Sequence, residues 1–193
     1  MRELILASSS RYRAELLSRL GLPFQSQSPD VDETPLPNED AKALVARLAK
    51  SKAEAIADAF PRAVIVGSDQ SAWSGTEILG KPGTTAGARN QLAYLSGRCV
   101  TFFTSVYLLD ATRGEGLLAV VPTEVRFRSL SAAEIEAYVA REQPLDCAGA
   151  FRSEGLGIAL FEAIESDDPT ALIGLPLIAL CRMLRRTGFE LLA

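Results

Sequence analysis

Four short segments gather hydroxyl and charged groups where the chain should turn: Ser8 to Arg13, Asp30 to Glu33, Ser68 to Gln70, and Gly80-Lys81-Pro82. Asp69 follows the apolar run Val64-Ile65-Val66-Gly67 with only Ser68 between. A carboxylate at the end of a buried strand is rigidly held and partly desolvated, as a general base or a ligand of a hard cation must be. Glu33, beside Asp30 and Asp32, offers a second hard oxygen ligand. Ser8, Ser9 and Ser10 stand just before a helical pattern, where hydroxyls and main-chain N–H groups bind phosphate oxygens, and Arg13 one turn later adds a bidentate donor. With Lys52 and Lys81 these groups suit phosphoanhydride cleavage: cations neutralise phosphate charge while a carboxylate activates water. Each residue also has an ordinary structural reading. Ser10 can simply cap its helix, Asp69 can form a turn, and Arg13, Glu33, Lys52 and Lys81 can be solvated. No P-loop or dinucleotide glycine pattern is present.

Composition removes the main rivals. The chain has no histidine, which excludes Ser-His-Asp and Cys-His nucleophilic sites, HExxH zinc sites and imidazole acid–base chemistry. A formal net charge of -4 without a long basic run gives no surface for polymeric nucleic acid. The three cysteines, Cys99, Cys147 and Cys181, form no C-x-x-C pair, which argues against a disulfide framework or a zinc site and suits a reducing cytosol. No stretch is apolar enough to span a bilayer and no leader pattern opens the chain, so a soluble, unprocessed, cytoplasmic protein without a membrane partner is expected.

The elements that must position these groups alternate. Leu4 to Ala7 reads as a strand, and Ala14, Leu16, Leu17 and Leu20 recur at helical spacing up to Gly21. The two prolines around Asp30 to Glu33 make a loop. A long amphipathic helix is expected from about Glu39 to Phe60, then a buried strand Val64 to Gly67 with a polar loop beginning at Ser68. Thr84 or Thr85 caps a helix running to Ser96-Gly97. Val100 to Leu109 and Leu117 to Phe127 form long strands, paired as a hairpin around residues 113–116. Ser131 with Glu134 is a capping box for a helix ending before Pro144, a strand is expected at Ile158 to Ile164, and a last helix runs from about Pro176 to Arg186. With 193 residues, no repeats and no linker, the reading is one α/β domain, 1–193, with a mixed sheet and flanking helices.

Eight blocks in order resemble the Maf family of nucleotide pyrophosphatases: Leu6-Ala7-Ser8-Ser9-Ser10-Arg11-Tyr12-Arg13 with Leu16-Leu17, Val31-Asp32-Glu33, Leu48-Ala49 with Lys52-Ala53, Gly67-Ser68-Asp69, Gly80-Lys81-Pro82, Leu95-Ser96-Gly97, Cys147-Ala148-Gly149-Ala150-Phe151, and Ile173-Gly174-Leu175-Pro176-Leu177. The resemblance covers nearly the whole chain. It implies a Maf-like, inosine-triphosphatase-like α/β fold of two lobes around a central cleft, often a homodimer. The implied reaction is hydrolysis of a nucleoside triphosphate to monophosphate and pyrophosphate with a divalent cation, magnesium or manganese. Carried over by residue, it makes Asp69 the proton acceptor, gives Asp69 and Glu33 to the metal, and assigns phosphate-side roles to Ser8, Ser10, Arg13, Lys52 and Lys81. Two positions depart from the pattern: Arg11 stands where the family usually has proline, and Cys99 lies near the place of a frequent histidine.

Tyr12, Gln70 and Glu154 resemble the family's 7-methyl-GTP pyrophosphatase branch, where the first is typically tryptophan. N7-methylation makes guanine cationic, which favours an aromatic face and a carboxylate. The expected product is then 7-methyl-GMP. The alternatives are a pyrophosphatase of UTP, dTTP or CTP, and a nucleotide-binding regulator of cell division without catalysis.

Overall fold

The computed structural model describes residues 2–192. In chain order the elements are β1 (Leu4–Ala7), α1 (Arg11–Ser18), β2 (Gln25–Ser26), α2 (Ala41–Glu54), β3 (Val64–Trp73), β4 (Ile78–Leu79), α3 (Thr85–Leu95), β5 (Cys99–Asp110), β6 (Glu115–Phe127), α4 (Ala132–Glu142), β7 (Phe161–Ser166) and α5 (Leu177–Arg186). Short 3₁₀ turns lie at Ala57–Ala59, Ala148–Ala150 and Leu156–Leu160. Strand order is β2-β1-β3-β5-β6-β7, with β4 paired to β3 off this path. β1 runs parallel to β2 and β3, whereas β3/β4 and β6/β7 are antiparallel, so the fold is the expected α/β type with a mixed sheet.

The chain divides into two compact units, one of Met1–Gln70, Thr104–Val121 and Asp168–Ala193, the other of Ser71–Phe103 and Pro122–Asp167. In the first, β1 is buried at every residue, as an apolar strand covered on both faces must be. Its side chains alternate between two cores. Leu4 and Leu6 join Leu16 and Leu17 of α1 and Leu180, Met183 and Leu184 of α5, while Ile5 and Ala7 join Ala49 and Ala53 of α2. The second unit is centred on aromatic rings, with Phe151 edge-on to Phe102, Phe127 and Phe161 at centroid distances of 4.8–5.7 Å.

Three expectations need correction. β3 does not give way to a loop at Ser68; it runs on to Trp73, so Ser68, Asp69 and Gln70 are strand residues. Their polar groups find partners inside the first unit, which removes the penalty that would have ended a buried strand. α2 starts after its Asp40 cap and stops at Glu54, short of Phe60, where a 3₁₀ turn leads toward Pro61. β7 lies at 161–166 rather than 158–164, because residues 156–160 coil into a 3₁₀ turn. The capping box holds as expected: Ser131 N–H donates to Glu134 Oε2 at 2.8 Å.

Candidate active site

The parallel pairing of β1 and β3 aligns Ala7 with Gly67, so Ser8 leaves β1 beside the stretch of β3 that carries Ser68 and Asp69. These residues lie where β1 and its parallel pairing with β3 end, although β3 itself runs on to Trp73, and the end of a parallel pairing is the usual ligand position of an α/β sheet. Gly67 sets a third element. A Cβ there would collide with the main-chain carbonyl of Ala49, so only glycine lets α2 pack this closely on β3. One turn beyond Ala49, Lys52 then reaches Asp69.

Lys52 is 5% exposed and its Nζ donates to Asp69 Oδ1 at 2.5 Å. The same ammonium pairs with Glu33 Oε1 at 2.7 Å. Lys52 is therefore no solvated surface lysine, and Glu33 is no idle loop acid. Asp69 itself is 8% exposed, and its Oδ2 has no hydrogen-bond partner among the described residues. Arg13 reaches across to the 168–176 segment, where its Nε donates to Gly174 O at 3.0 Å. Burial pulls the Arg13 guanidinium down from its ordinary pKa, and the negative charges of Asp69 and Glu33 push it back up.

The serines hold the turn into α1. Ser8 Oγ accepts from Ser10 N at 3.1 Å, and Ser10 Oγ accepts from Arg13 N at 3.4 Å as the helix cap. Both use an oxygen lone pair, so each hydroxyl keeps its proton to donate to an anion. Tyr12 is tied to its neighbour. Arg11 Nη2 donates to Tyr12 Oη at 2.8 Å, and the Arg11 guanidinium stands 4.8 Å from the ring centroid. The residue that replaces the usual proline thus already sets a cation over this ring.

Gln70 has a defined orientation. Its Nε2 has three acceptors in reach of its two protons: Thr104 Oγ1 at 2.9 Å, Ala171 O at 3.0 Å and Leu172 O at 2.9 Å. Two main-chain carbonyls cannot donate, so the amide cannot turn over, and Oε1 is the atom left for a ligand.

The first unit carries Ser8, Ser10, Tyr12, Arg13, Glu33, Lys52, Asp69 and Gln70, and within it Lys52 joins Glu33 to Asp69 directly. Lys81 and Glu154 are carried by the second unit. Lys81 is exposed between β4 and α3, and Glu154 is exposed with Ser153 Oγ 3.4 Å from its Oε2.

Several supporting residues had escaped the sequence reading. Ser105 Oγ lies 2.6 Å from Val45 O and 3.2 Å from both the N and O of Asp69, tying α2, β3 and β5 together. Ser105 also ties in Ser68, a residue of a segment the sequence does single out, whose Oγ lies 2.7 Å from Ser105 O and 3.0 Å from Gly174 O. Asp168 Oδ2 accepts from Ile178 N at 2.7 Å, capping α5 from outside because Pro176 at the cap position offers no side chain for it. The only sequence signal was weak: two hydroxyl residues, Thr104 and Ser105, inside an apolar strand.

The residues fit a divalent cation. No group of three or more His, Cys, Asp or Glu converges among the described residues, so no all-protein cage exists. Two carboxylates completed by substrate phosphates are nonetheless a set that magnesium commonly uses.

The arrangement is that of a phosphate-handling α/β site, and comparison with known proteins agrees. The model of the family described as Maf-like protein matches residues 3–187, and the chain belongs to the Maf family. It is 52% identical over 189 residues, 98% of this chain and 95% of the relative, to the 7-methyl-GTP pyrophosphatase of Nitrosococcus oceani. It is 54% identical over 186 residues, 96% and 94% of the two chains, to the protein of the same name from Cupriavidus metallidurans. The Staphylococcus aureus Ham1 protein, a solved structure, shares a TM-score of 0.47 and 14% identity over 65% of this chain and 72% of its own, a likeness too slight to carry an argument.

Proposed function

We propose that the chain hydrolyses 7-methyl-GTP to 7-methyl-GMP and pyrophosphate. The observation that carries the reading is the buried Lys52 ammonium clasped by Asp69 and Glu33 beside the Ser8–Ser10 turn, in a chain about half identical to proteins bearing that activity in their names. Asp69 accepts the proton of the attacking water, through a carboxylate that Lys52 holds in place on a main chain that Ser105 bonds. Water oxygen bonds to the α-phosphorus, the bond from that phosphorus to the bridging oxygen breaks, and pyrophosphate leaves. Ser8 and Ser10 donate to phosphate oxygens, and the Arg13 guanidinium adds positive charge, its Nε fixed by Gly174. Glu33 and Asp69 would hold magnesium or manganese, which supplies charge neutralisation on the phosphates. Tyr12, Gln70 and Glu154 select the base, and Lys81 serves the phosphates.

Among the described residues no helix is long and apolar enough to cross a membrane. Cys99, Cys147 and Cys181 are free thiols, which suits the cytoplasm.

The test is a product analysis across 7-methyl-GTP, GTP, UTP, dTTP and CTP, each with magnesium, manganese or EDTA. Pyrophosphate released fastest from 7-methyl-GTP, and stopped by EDTA, is the expected result. Orthophosphate with a diphosphate product, or preference for a pyrimidine nucleotide, would overturn the reading.

A further inference from the structure

The two carboxylates suited to a dication already hold a monovalent one. Lys52 Nζ lies 2.5 Å from Asp69 Oδ1 and 2.7 Å from Glu33 Oε1, at a residue 5% exposed. The lysine comes from a regular helix packed main chain to main chain against β3, whereas Glu33 comes from a loop without regular structure. The ammonium is thus the fixed point, and it joins a loop acid to a strand acid. The local charge is balanced as well. Asp69 and Glu33 are offset by Lys52, and Arg13 feels both carboxylates.

A dication entering by itself must take oxygens from a buried ammonium that has no room to retreat into water, and then sit near that like charge. Both terms oppose binding. A nucleotide changes the balance by bringing phosphate oxygens that pair with the ammonium.

We propose that Lys52 is the resident counter-ion of the site, competing with the divalent cation for the oxygens of Asp69 and Glu33, so that the chain takes up free metal weakly. This rests on the metal-dependent reading above and gives Lys52 a role besides contact with phosphate.

The test is Mn²⁺ binding by equilibrium dialysis without nucleotide, on the wild-type chain, Lys52→Met and Lys52→Gln. Loss of the positive charge should tighten Mn²⁺ binding by about tenfold or more, the effect of one like charge removed from a partly buried site. Adding Asp69→Asn to Lys52→Met should erase that gain. Binding no tighter than wild type in both single variants, or a gain that survives Asp69→Asn, overturns the proposal. Should a variant unfold because its carboxylates lack a counter-ion, Mn²⁺ should restore its circular dichroism, and failure to do so at concentrations that saturate the wild type counts against it. Because binding is read without turnover, this result is separate from the hydrolysis assay, where indifference to EDTA would instead sink the metal-dependent reading.

Discussion

The carbonyl oxygen of Ala49 occupies the space that a Cβ on residue 67 would need. This contact between two main chains, rather than any side-chain pair, fixes the height at which Lys52 meets Asp69. Gly67→Ala must push α2 off β3, since the opposing atoms are backbone and cannot rotate away. The expected cost is roughly 1–3 kcal/mol of stability, the range for overpacking a tight core. A denaturant melt measures that cost, and hydrolysis should fall further than stability because the Lys52–Asp69 pair opens.

Asp69→Asn should lower kcat by roughly 10²–10⁴-fold, the usual contribution of a positioned general base. An amide accepts the water proton poorly and binds a hard cation weakly, yet it can still accept from Lys52. The circular dichroism spectrum should therefore be unchanged. Near wild-type turnover would remove Asp69 from the mechanism.

Gln70→Glu tests the orientation of the amide. A carboxylate would face Ala171 O and Leu172 O with no proton to give, leaving two carbonyls opposed by negative charge. Losing those bonds should cost roughly 1–3 kcal/mol. Gln70→Met, which removes the bonds without adding charge, should cost less, and the order of the two variants in a thermal melt decides the matter.

What could be read from the sequence follows from how local each signal is. β1, the Ser10 cap, the Ser131–Glu134 box and the Thr84 cap depend on neighbours within a few residues, and all are where the pattern puts them. The polar run Ser68-Asp69-Gln70 looks like a loop because its partners are distant in sequence: Lys52 at 17 residues, Ser105 at 36 and Gly174 at 106. No window along the chain contains them. Family blocks placed Asp69, Glu33 and Lys52 in one site, but not the ammonium between the two acids. The cation that Arg11 sets over Tyr12 was likewise invisible, since only the loss of a proline showed there.

Glu134 gives a pH prediction in the second unit. Hydrogen bonds from the Ser131 main chain and side chain, then from Arg128, hold its carboxyl down to about 2 from an ordinary 4.5. A carboxyl lowered on folding contributes stability that is complete above its unfolded value and lost as pH falls through the folded one. The capping box should therefore persist at pH 4.5 and open toward pH 2. Carbon-detected NMR of the Glu134 side chain should titrate near the lower value, and Ser131→Ala should move the midpoint up.

Selectivity for the base is the last test, and Arg11 makes it sharper. Its guanidinium stands 4.8 Å from the Tyr12 ring centroid and also holds the phenol oxygen. A cationic 7-methylguanine stacking on the same ring must displace that guanidinium or share the ring with it, and two cations on one aromatic face repel. Removing the ring by Tyr12→Ala should cost roughly 1–3 kcal/mol of base binding, the range for aromatic stacking on a base. Glu154→Gln should weaken 7-methyl-GTP more than UTP, because only the methylated base carries positive charge for a carboxylate to meet. Arg11→Pro should act in the opposite sense, freeing the ring and raising the ratio of kcat/KM for 7-methyl-GTP over UTP. Measured together, the three ratios separate the roles: a fall in the first two with a rise in the third is expected. A ratio that stays constant in all three would leave phosphate-bond cleavage intact and remove Tyr12 and Glu154 from base recognition.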